Sequence, residues 1–141
     1  MFKIILVALD ASEQAEQVID ALNELQLQTT TKIILSHVIP PPESDAEWAA
    51  DRPHNASEEI PYVQIEKQLQ SYQANLPGTS QLEIVTGDPA EEIIRLANIH
   101  HADLIAIGSR GLTGLKRILQ GSVSSQVVEN APCSVLVVKT K

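Results

Sequence analysis

The apolar run Ile4-Ile5-Leu6-Val7-Ala8-Leu9 lies near the start of the chain and is followed directly by Asp10. A continuous apolar run leaves no polar face, and it is typical of a strand that is buried on both sides. Such strands lie inside parallel sheets that carry helices on both faces. We therefore expect this segment to be the central strand of an α/β sheet.

Strand-like and helix-like segments alternate along the rest of the chain. The other predicted strands cover residues 32–38, 82–86, 104–107 and 135–138. This alternation predicts a doubly wound, five-stranded parallel sheet with right-handed crossovers. The segment 82–86 alternates between apolar and polar residues, which indicates a more exposed strand at an edge. At 141 residues, a single domain covering 1–141 is expected.

Local signals predict where the helices begin. Ser12 is a capping residue for the first helix, whose apolar stripe contains Ala15, Val18, Ile19, Leu22 and Leu25. Pro61 suits the first turn of the second helix. Asp88-Pro89-Ala90-Glu91 is a strong start for the third, because a capping acid precedes a proline and a glutamate. The last helix is predicted over residues 122–130.

The segment 43–60 interrupts the alternation of strands and helices. It follows Pro40-Pro41-Pro42 and carries acidic residues with few aliphatic ones. We interpret it as a mobile acidic insertion within the single domain. Trp48 lies in its middle, and the sequence leaves open whether it covers a ligand, contacts a partner chain or does neither.

Charge and cysteine content narrow the possible partners. The net charge of −8 and the pI of about 4.9 argue against binding to nucleic acid or to an anionic membrane. No apolar run approaches the roughly 20 residues of a membrane span. Cys133 is the single cysteine, so no internal disulfide is possible and a reducing compartment is favoured. We expect a cytoplasmic location.

Four of the six glycines lie between Gly108 and Gly121, directly after the predicted fourth strand. Arg110, Lys116 and Arg117 lie in the same stretch, and no acidic residue occurs between Asp103 and Glu129. A glycine-marked loop that leaves a parallel strand is a common phosphate site. The stretch matches neither the P-loop motif nor the Rossmann motif G-x-G-x-x-G.

The spacing Gly108-x2-Gly111-x9-Gly121-Ser122, after a first strand that ends at Asp10, resembles the ATP-binding branch of the universal stress protein family. Segments 3–12, 37–38, 87–93, 102–108 and 132–138 are also similar to it, so the resemblance covers nearly the whole chain. It implies the adenine nucleotide alpha-hydrolase-like fold with strand order 3-2-1-4-5. Ala8 and Ala11 depart from the proline and glycine that are common in the family.

The resemblance also implies roles for individual residues. Asp10 is expected to contact the adenosine, Val38 the adenine and Gly108 the ribose, while Gly111 and Gly121 let the loop wrap the phosphates. The remaining expected binding positions are Ala8, Ile107, Arg110, Ser122, Val123 and Ser124. Placed at the start of the predicted last helix, residues 122–124 are also favourable to an anion on physical grounds alone.

The expected cofactor is ATP, or else AMP or ADP, with Mg²⁺ carried by the nucleotide rather than by a metal site of the protein. His100 and His101 are adjacent and do not readily share one ion on a helix. We expect no catalytic residues and at most weak ATPase activity, because neither Asp10 nor Asp88 is a convincing hydrolytic base. The expected role is regulatory, with nucleotide binding changing a surface that an unknown protein partner recognises during stress.

Other functions remain open at this stage. The chain could be a slow ATP hydrolase or a nucleotidyl-transferring enzyme of the same fold, or it could sense a cyclic adenine dinucleotide. A receiver module phosphorylated on Asp10 is a weaker alternative, because that chemistry requires clustered acidic residues.

The last strand predicts an interface. Val135-Leu136-Val137-Val138 is continuously apolar at a predicted sheet edge, and exposed apolar edges tend to pair. The family that the chain resembles dimerises through this strand in antiparallel fashion. We therefore expect a homodimer, the alternative being that a neighbouring segment covers the edge.

Overall fold

Strands and helices alternate in the computed structural model, which describes residues 2–10, 15–39, 55–109 and 117–139. The strands are β1 (Ile4–Ala8), β2 (Lys32–Ile39), β3 (Thr79–Thr86), β4 (Leu104–Gly108) and β5 (Ser134–Val138). The helices are α1 (Ala15–Glu24), α2 (Asn55–Gln73), α3 (Pro89–His100) and α4 (Arg117–Asn130).

The five strands form one parallel sheet in the order β3-β2-β1-β4-β5. The predicted strand order and the central position of β1 are therefore confirmed. Ala8 pairs with Ser36 of β2 on one side and with Ile107 of β4 on the other. This register brings the carboxyl ends of three strands to the same edge of the sheet.

The core has two layers, one on each face of the sheet. Leu6 and Ala8 of β1 belong to the cluster that packs under α3 and α4, which we call the α3/α4 cluster. Ile5, Val7 and Leu9 belong to the cluster under α1 and α2, which we call the α1/α2 cluster. Each of these five side chains is at most 2% exposed. Burial on both faces explains why β1 is apolar at every position.

The predicted start of α3 is confirmed in detail. Asp88 caps the helix, and the backbone N–H of Glu91 donates to its carboxylate at 3.1 Å. Pro89 is the first helical residue, where a missing N–H costs nothing. Ile93, Leu96 and Ala97 then face the core.

Helix α2 begins at Asn55, six residues before the predicted start at Pro61. Residues 55–60 are therefore helical, while the mobile insertion predicted for segment 43–60 stays a prediction. Proline costs a helix interior about 3 kcal/mol, yet α2 runs through Pro61, so this residue is not the boundary that the sequence indicated. The other positions of the predicted insertion, 43–54, lie outside the described residues, and so does Trp48.

Two further boundaries differ from the prediction. Helix α4 begins at Arg117, five residues before Ser122, because one internal glycine costs a helix only about 1 kcal/mol and Gly121 does not stop it. Helix α1 ends at Glu24, so Leu25 is 43% exposed and does not join the stripe. The capping role predicted for Ser12 lies outside the described residues.

Strands β3 and β5 form the two edges of the sheet. Most side chains of β5 are only partly buried, and Val137 is 40% exposed. The structure thus confirms the edge position of β5, while the predicted pairing with a second chain stays a prediction. None of the described helices combines the length and the apolar character needed to cross a bilayer.

Asp103 ties the start of β4 to the start of β1. The backbone N–H groups of Lys3 and Ile4 donate to its carboxylate at 2.9 and 3.0 Å. In the reverse direction, the N–H of Asp103 donates to the carbonyl of Ile4 at 2.8 Å. The two bonds to the carboxylate lower its pKa below the ordinary 3.8 because they favour the charged form.

We expect Asp103→Asn to destabilise the protein at pH 7, since the neutral amide accepts these N–H groups less strongly. A carboxyl with a depressed folded-state pKa contributes stability above its unfolded pKa and loses it as the pH falls. The difference in the free energy of unfolding between the variant and the unchanged protein should therefore become smaller below pH 3.8. Urea denaturation across this pH range measures this difference.

Asp20→Asn is the matched control, because it removes the same charge from an exposed position on α1. If Asp103→Asn lowered the free energy of unfolding by the same amount at pH 7 and in the acid range, the charged form of Asp103 would not have the role proposed here.

Candidate functional site

The candidate site lies at the carboxyl edge of the sheet, between β1 and β4. The chain order reverses here, because β2 and β3 extend to one side of β1 and β4 and β5 to the other. Open parallel sheets form their ligand crevice at such a reversal. Extending the observed register places Leu9 level with Gly108, and Asp10 level with Ser109.

Four of the predicted site residues belong to the α3/α4 cluster. They come from three strands and one helix, and they are Ala8, Val38, Ile107 and Val123. Their exposures are 2%, 1%, 1% and 8%. Gly108 is buried beside them, and Asp10 is half-buried above the end of β1. We call the four buried residues Ala8, Val38, Ile107 and Val123 the apolar floor.

The position of α4 corrects the expectation for residues 122–124. Because α4 begins at Arg117, these residues lie in its interior rather than at its N-terminus. Only about the first four N–H groups of a helix lack internal partners, so the amides of 122–124 are engaged within α4. They do not lie at the start of the last helix as predicted, while their contact with a phosphate stays a prediction. Val123 instead packs into the apolar floor, and Ser124 is buried.

The segment between β4 and α4 was predicted to hold the phosphates. Arg110 and Gly111 lie outside the described residues, whereas Gly121 and Ser122 belong to the backbone of α4. At the start of this segment, the N–H of Ser109 donates to the carbonyl of Val138 at 2.7 Å. The first residue after β4 is thus held by the neighbouring edge strand.

His37 is a polar residue of this edge to which sequence reasoning gave no role. It is 6% exposed, and its Nδ1 lies 2.8 Å from the carbonyl oxygen of Leu9. A carbonyl only accepts, so Nδ1 carries the proton and donates it. Burial lowers the pKa of His37 below 6.5, against the opposing effects of the bond to Leu9 and of the Asp10 charge. The imidazole is therefore neutral at pH 7.

Among the described residues, no group of three or more histidine, cysteine, aspartate or glutamate side chains is arranged to hold a metal ion. His100 instead contacts Glu83 through its Nε2 at 2.8 Å, joining the end of α3 to β3. His101 adopts a left-handed backbone conformation and ends α3.

Comparison with known families and sequences gives one consistent result. The model of the universal stress protein family matches residues 1–139. The universal stress proteins Sll1388 of Synechocystis and MJ0577 of Methanocaldococcus jannaschii are 32% and 31% identical. The matches cover 96% of both chains for Sll1388, and 100% of this chain and 97% of the relative for MJ0577. A local match to MJ0531 of M. jannaschii is 54% identical over 57 residues, which is 40% of this chain and 34% of that protein.

Solved structures agree with the sequence comparisons. The structure of MJ0577 has a TM-score of 0.83 at 31% identity, covering 100% of this chain and 98% of that one. A universal stress protein in complex with cAMP has a TM-score of 0.71 at 21% identity, covering 99% of both chains. An Arabidopsis thaliana family member with AMP bound has a TM-score of 0.65 at 22% identity, covering 99% of this chain and 92% of that one.

We expect NMR to find His37 neutral at pH 7, with its proton on Nδ1, and to see it titrate below pH 6.5. The unfolded chain takes up this proton near pH 6.5 and the folded chain only at lower pH. The His37 contribution to the free energy of unfolding therefore falls as the pH drops through this window. Long-range ¹H–¹⁵N spectra recorded from pH 8 downward identify both the tautomer and the titration. A proton on Nε2 at pH 7 would contradict the hydrogen bond to Leu9.

Proposed function

This chain belongs to the universal stress protein family, and we propose that it binds an adenine nucleotide, with ATP as the expected ligand, between the ends of β1 and β4. The observation that carries the proposal is the apolar floor of Ala8, Val38, Ile107 and Val123 at this edge. A buried apolar surface with a few polar groups around it is the usual environment of a small-molecule ligand.

The floor and its surroundings suit the adenosine part of a nucleotide. Its buried aliphatic side chains lie directly under the position proposed for the flat purine, and we assign backbone groups at the end of β2, near Val38, to its polar edge. We assign Asp10 to the ribose, because a carboxylate accepts from hydroxyl groups. Gly108 has no side chain and lets the sugar approach the backbone.

We assign the phosphates to segment 109–116 and to the first turn of α4. The stretch between Asp103 and Glu129 contains basic residues and no acidic ones. Because the amides of 122–124 are engaged inside α4, the free N–H groups of this helix lie near Arg117. The phosphate end of the proposed site therefore lies about one helical turn earlier in the chain than the sequence pattern suggested.

Family members with bound AMP and cAMP support the choice of ligand class only as analogues of the same fold, since they are 22% and 21% identical to this chain. For the role of the site we propose regulation rather than turnover, with any Mg²⁺ carried by the nucleotide. Asp88 is engaged as the cap of α3. Asp10, assigned to the ribose, is then not available to activate a water molecule.

We further propose a cytoplasmic homodimer. The single cysteine fits a reducing compartment. Strand β5 presents a partly buried apolar edge of the kind that pairs with another strand, and Val137 is exposed on it.

We expect nucleotide-stripped protein to bind ATP with a micromolar dissociation constant in isothermal titration calorimetry. ATP should bind more tightly than adenosine, and added salt should reduce this difference because it screens the phosphate charges. Asp10→Asn should weaken ATP binding about tenfold, since a charge-assisted bond to the ribose is lost. Asp20→Asn, which removes an exposed charge from α1, should leave the affinity unchanged.

Two results would speak against this proposal. Failure of ATP, ADP and AMP to bind at millimolar concentration would rule out nucleotide binding. Equal affinities for Asp10→Asn and Asp20→Asn would keep nucleotide binding but would move the ribose away from Asp10.

We expect Val137→Lys to shift the protein from dimer to monomer, because it places charges at the centre of the proposed strand pair. Val128→Lys is the control, since Val128 is a comparably exposed valine on α4, at 53% against 40% for Val137. Light scattering after gel filtration gives the mass of each variant. A mass that is unchanged by Val137→Lys would exclude β5 as the interface.

A further inference from the structure

We propose that His37 is a positioning residue for the nucleotide site, which holds the carbonyl of Leu9 through its Nδ1–H and thereby fixes the place of Asp10. The proposal rests on the function proposed above and adds a residue that does not itself contact the ligand. The chain of contacts runs from β2 to the residue after β1 and from there to Asp10.

Leu9 is held by both of its backbone groups, although it lies one residue beyond the end of β1. Its N–H donates to the carbonyl of Ser36 at 2.9 Å, and its carbonyl accepts from His37 Nδ1 at 2.8 Å. The ladder between β1 and β2 ends at the pair of Ala8 and Ser36. The imidazole thus continues the hydrogen bonding between the two strands one step beyond the ladder.

Fixing the Leu9 carbonyl also fixes the start of Asp10. The carbonyl of Leu9 and the N–H of Asp10 belong to one planar peptide unit, whose atoms move together. The Leu9 side chain is 1% exposed in the α1/α2 cluster, so it cannot turn this unit without opening the core. The Cα of Asp10 therefore has little freedom, and its carboxylate starts from a fixed point.

His37 acts from the face of the sheet opposite to the apolar floor. Ile33 and Leu35 belong to the α1/α2 cluster, while Ile34 and Val38 belong to the α3/α4 cluster. By the alternation of side chains along β2, His37 points toward α1 and α2, away from the floor that contains Val38. Its effect on a ligand at the floor is transmitted through Leu9 and Asp10.

The chemistry of the side chain suits this role. The neutral ring keeps its proton on Nδ1 for the Leu9 carbonyl, and burial lowers the pKa and so favours that neutral form. Ser36, the preceding residue, makes a parallel contact, since its hydroxyl donates to the carbonyl of Val7 at 2.8 Å. Two successive side chains of β2 therefore hold backbone carbonyls at the carboxyl end of β1.

The test is a double-mutant cycle between His37 and Asp10, read out as ATP affinity by calorimetry. His37→Leu removes the donor at similar size, and we expect it to weaken ATP binding about tenfold. His37→Asn should restore most of this loss, because its amide nitrogen occupies nearly the place of Nδ1, whereas His37→Gln places its amide near Nε2 and should not. In the Asp10→Asn background, His37→Leu should cause little further loss, since the residue that it positions is already altered.

A purely structural role gives a different pattern. If His37→Leu lowers the urea midpoint but leaves ATP affinity unchanged, or weakens binding equally in the unchanged protein and in the Asp10→Asn background, the proposal is overturned. Should His37→Leu fail to fold, equal affinities for His37→Asn and His37→Gln overturn it as well. Absence of ATP binding by the unchanged protein overturns both this inference and the proposed function. If ATP binds but the losses of affinity caused by His37→Leu and Asp10→Asn simply add, only this inference is overturned.

Discussion

The burial of β1 on both faces is the constraint on which the rest of the structure depends. Ile5, Leu6 and Val7 have no exposed surface at all, and each such side chain stabilises the fold by about 1.5–3 kcal/mol. A strand in this position has no room for a polar side chain along its length. The polar chemistry of the centre of the sheet must therefore lie at the two ends of β1, and the two ends are built differently.

At the amino end of β1, backbone N–H groups donate to a charged side chain. Asp103 accepts from the N–H groups of Lys3 and Ile4, so donors at the start of the ladder are satisfied by a carboxylate. At its carboxyl end, the side-chain contacts are of the opposite kind, because here the side chains donate to backbone carbonyls. Ser36 and His37 supply donors to Val7 and Leu9 from the neighbouring strand.

The sequence predicted the parts of the fold that are determined locally. The apolar run of β1 indicated its central position, and the Asp88-Pro89 start of α3 was correct because a cap depends on a few adjacent residues. The starts of α2 and α4 were misplaced because Pro61 and Gly121 were interpreted as boundaries. The glycine costs a helix about 1 kcal/mol and the proline about 3 kcal/mol, and in this structure neither penalty ends the helix. The candidate site was predictable only in part for a related reason. Strand ends such as Ala8 and Ile107 meet as expected. His37, in contrast, binds a backbone carbonyl 28 residues away, and a contact to backbone leaves no pattern in the sequence.

The construction of this edge limits how a bound nucleotide can act on the protein. The floor consists of buried residues from β1, β2, β4 and α4, so moving it requires opening the α3/α4 cluster. The backbone of Leu9 is hydrogen-bonded to Ser36 and His37, so the position of the following residue, Asp10, is fixed relative to the sheet. In the function proposed here, the adenosine end therefore selects the ligand without changing shape. In this proposal, a response to the number of phosphates is assigned to the chain that follows β4, because the phosphates are assigned there.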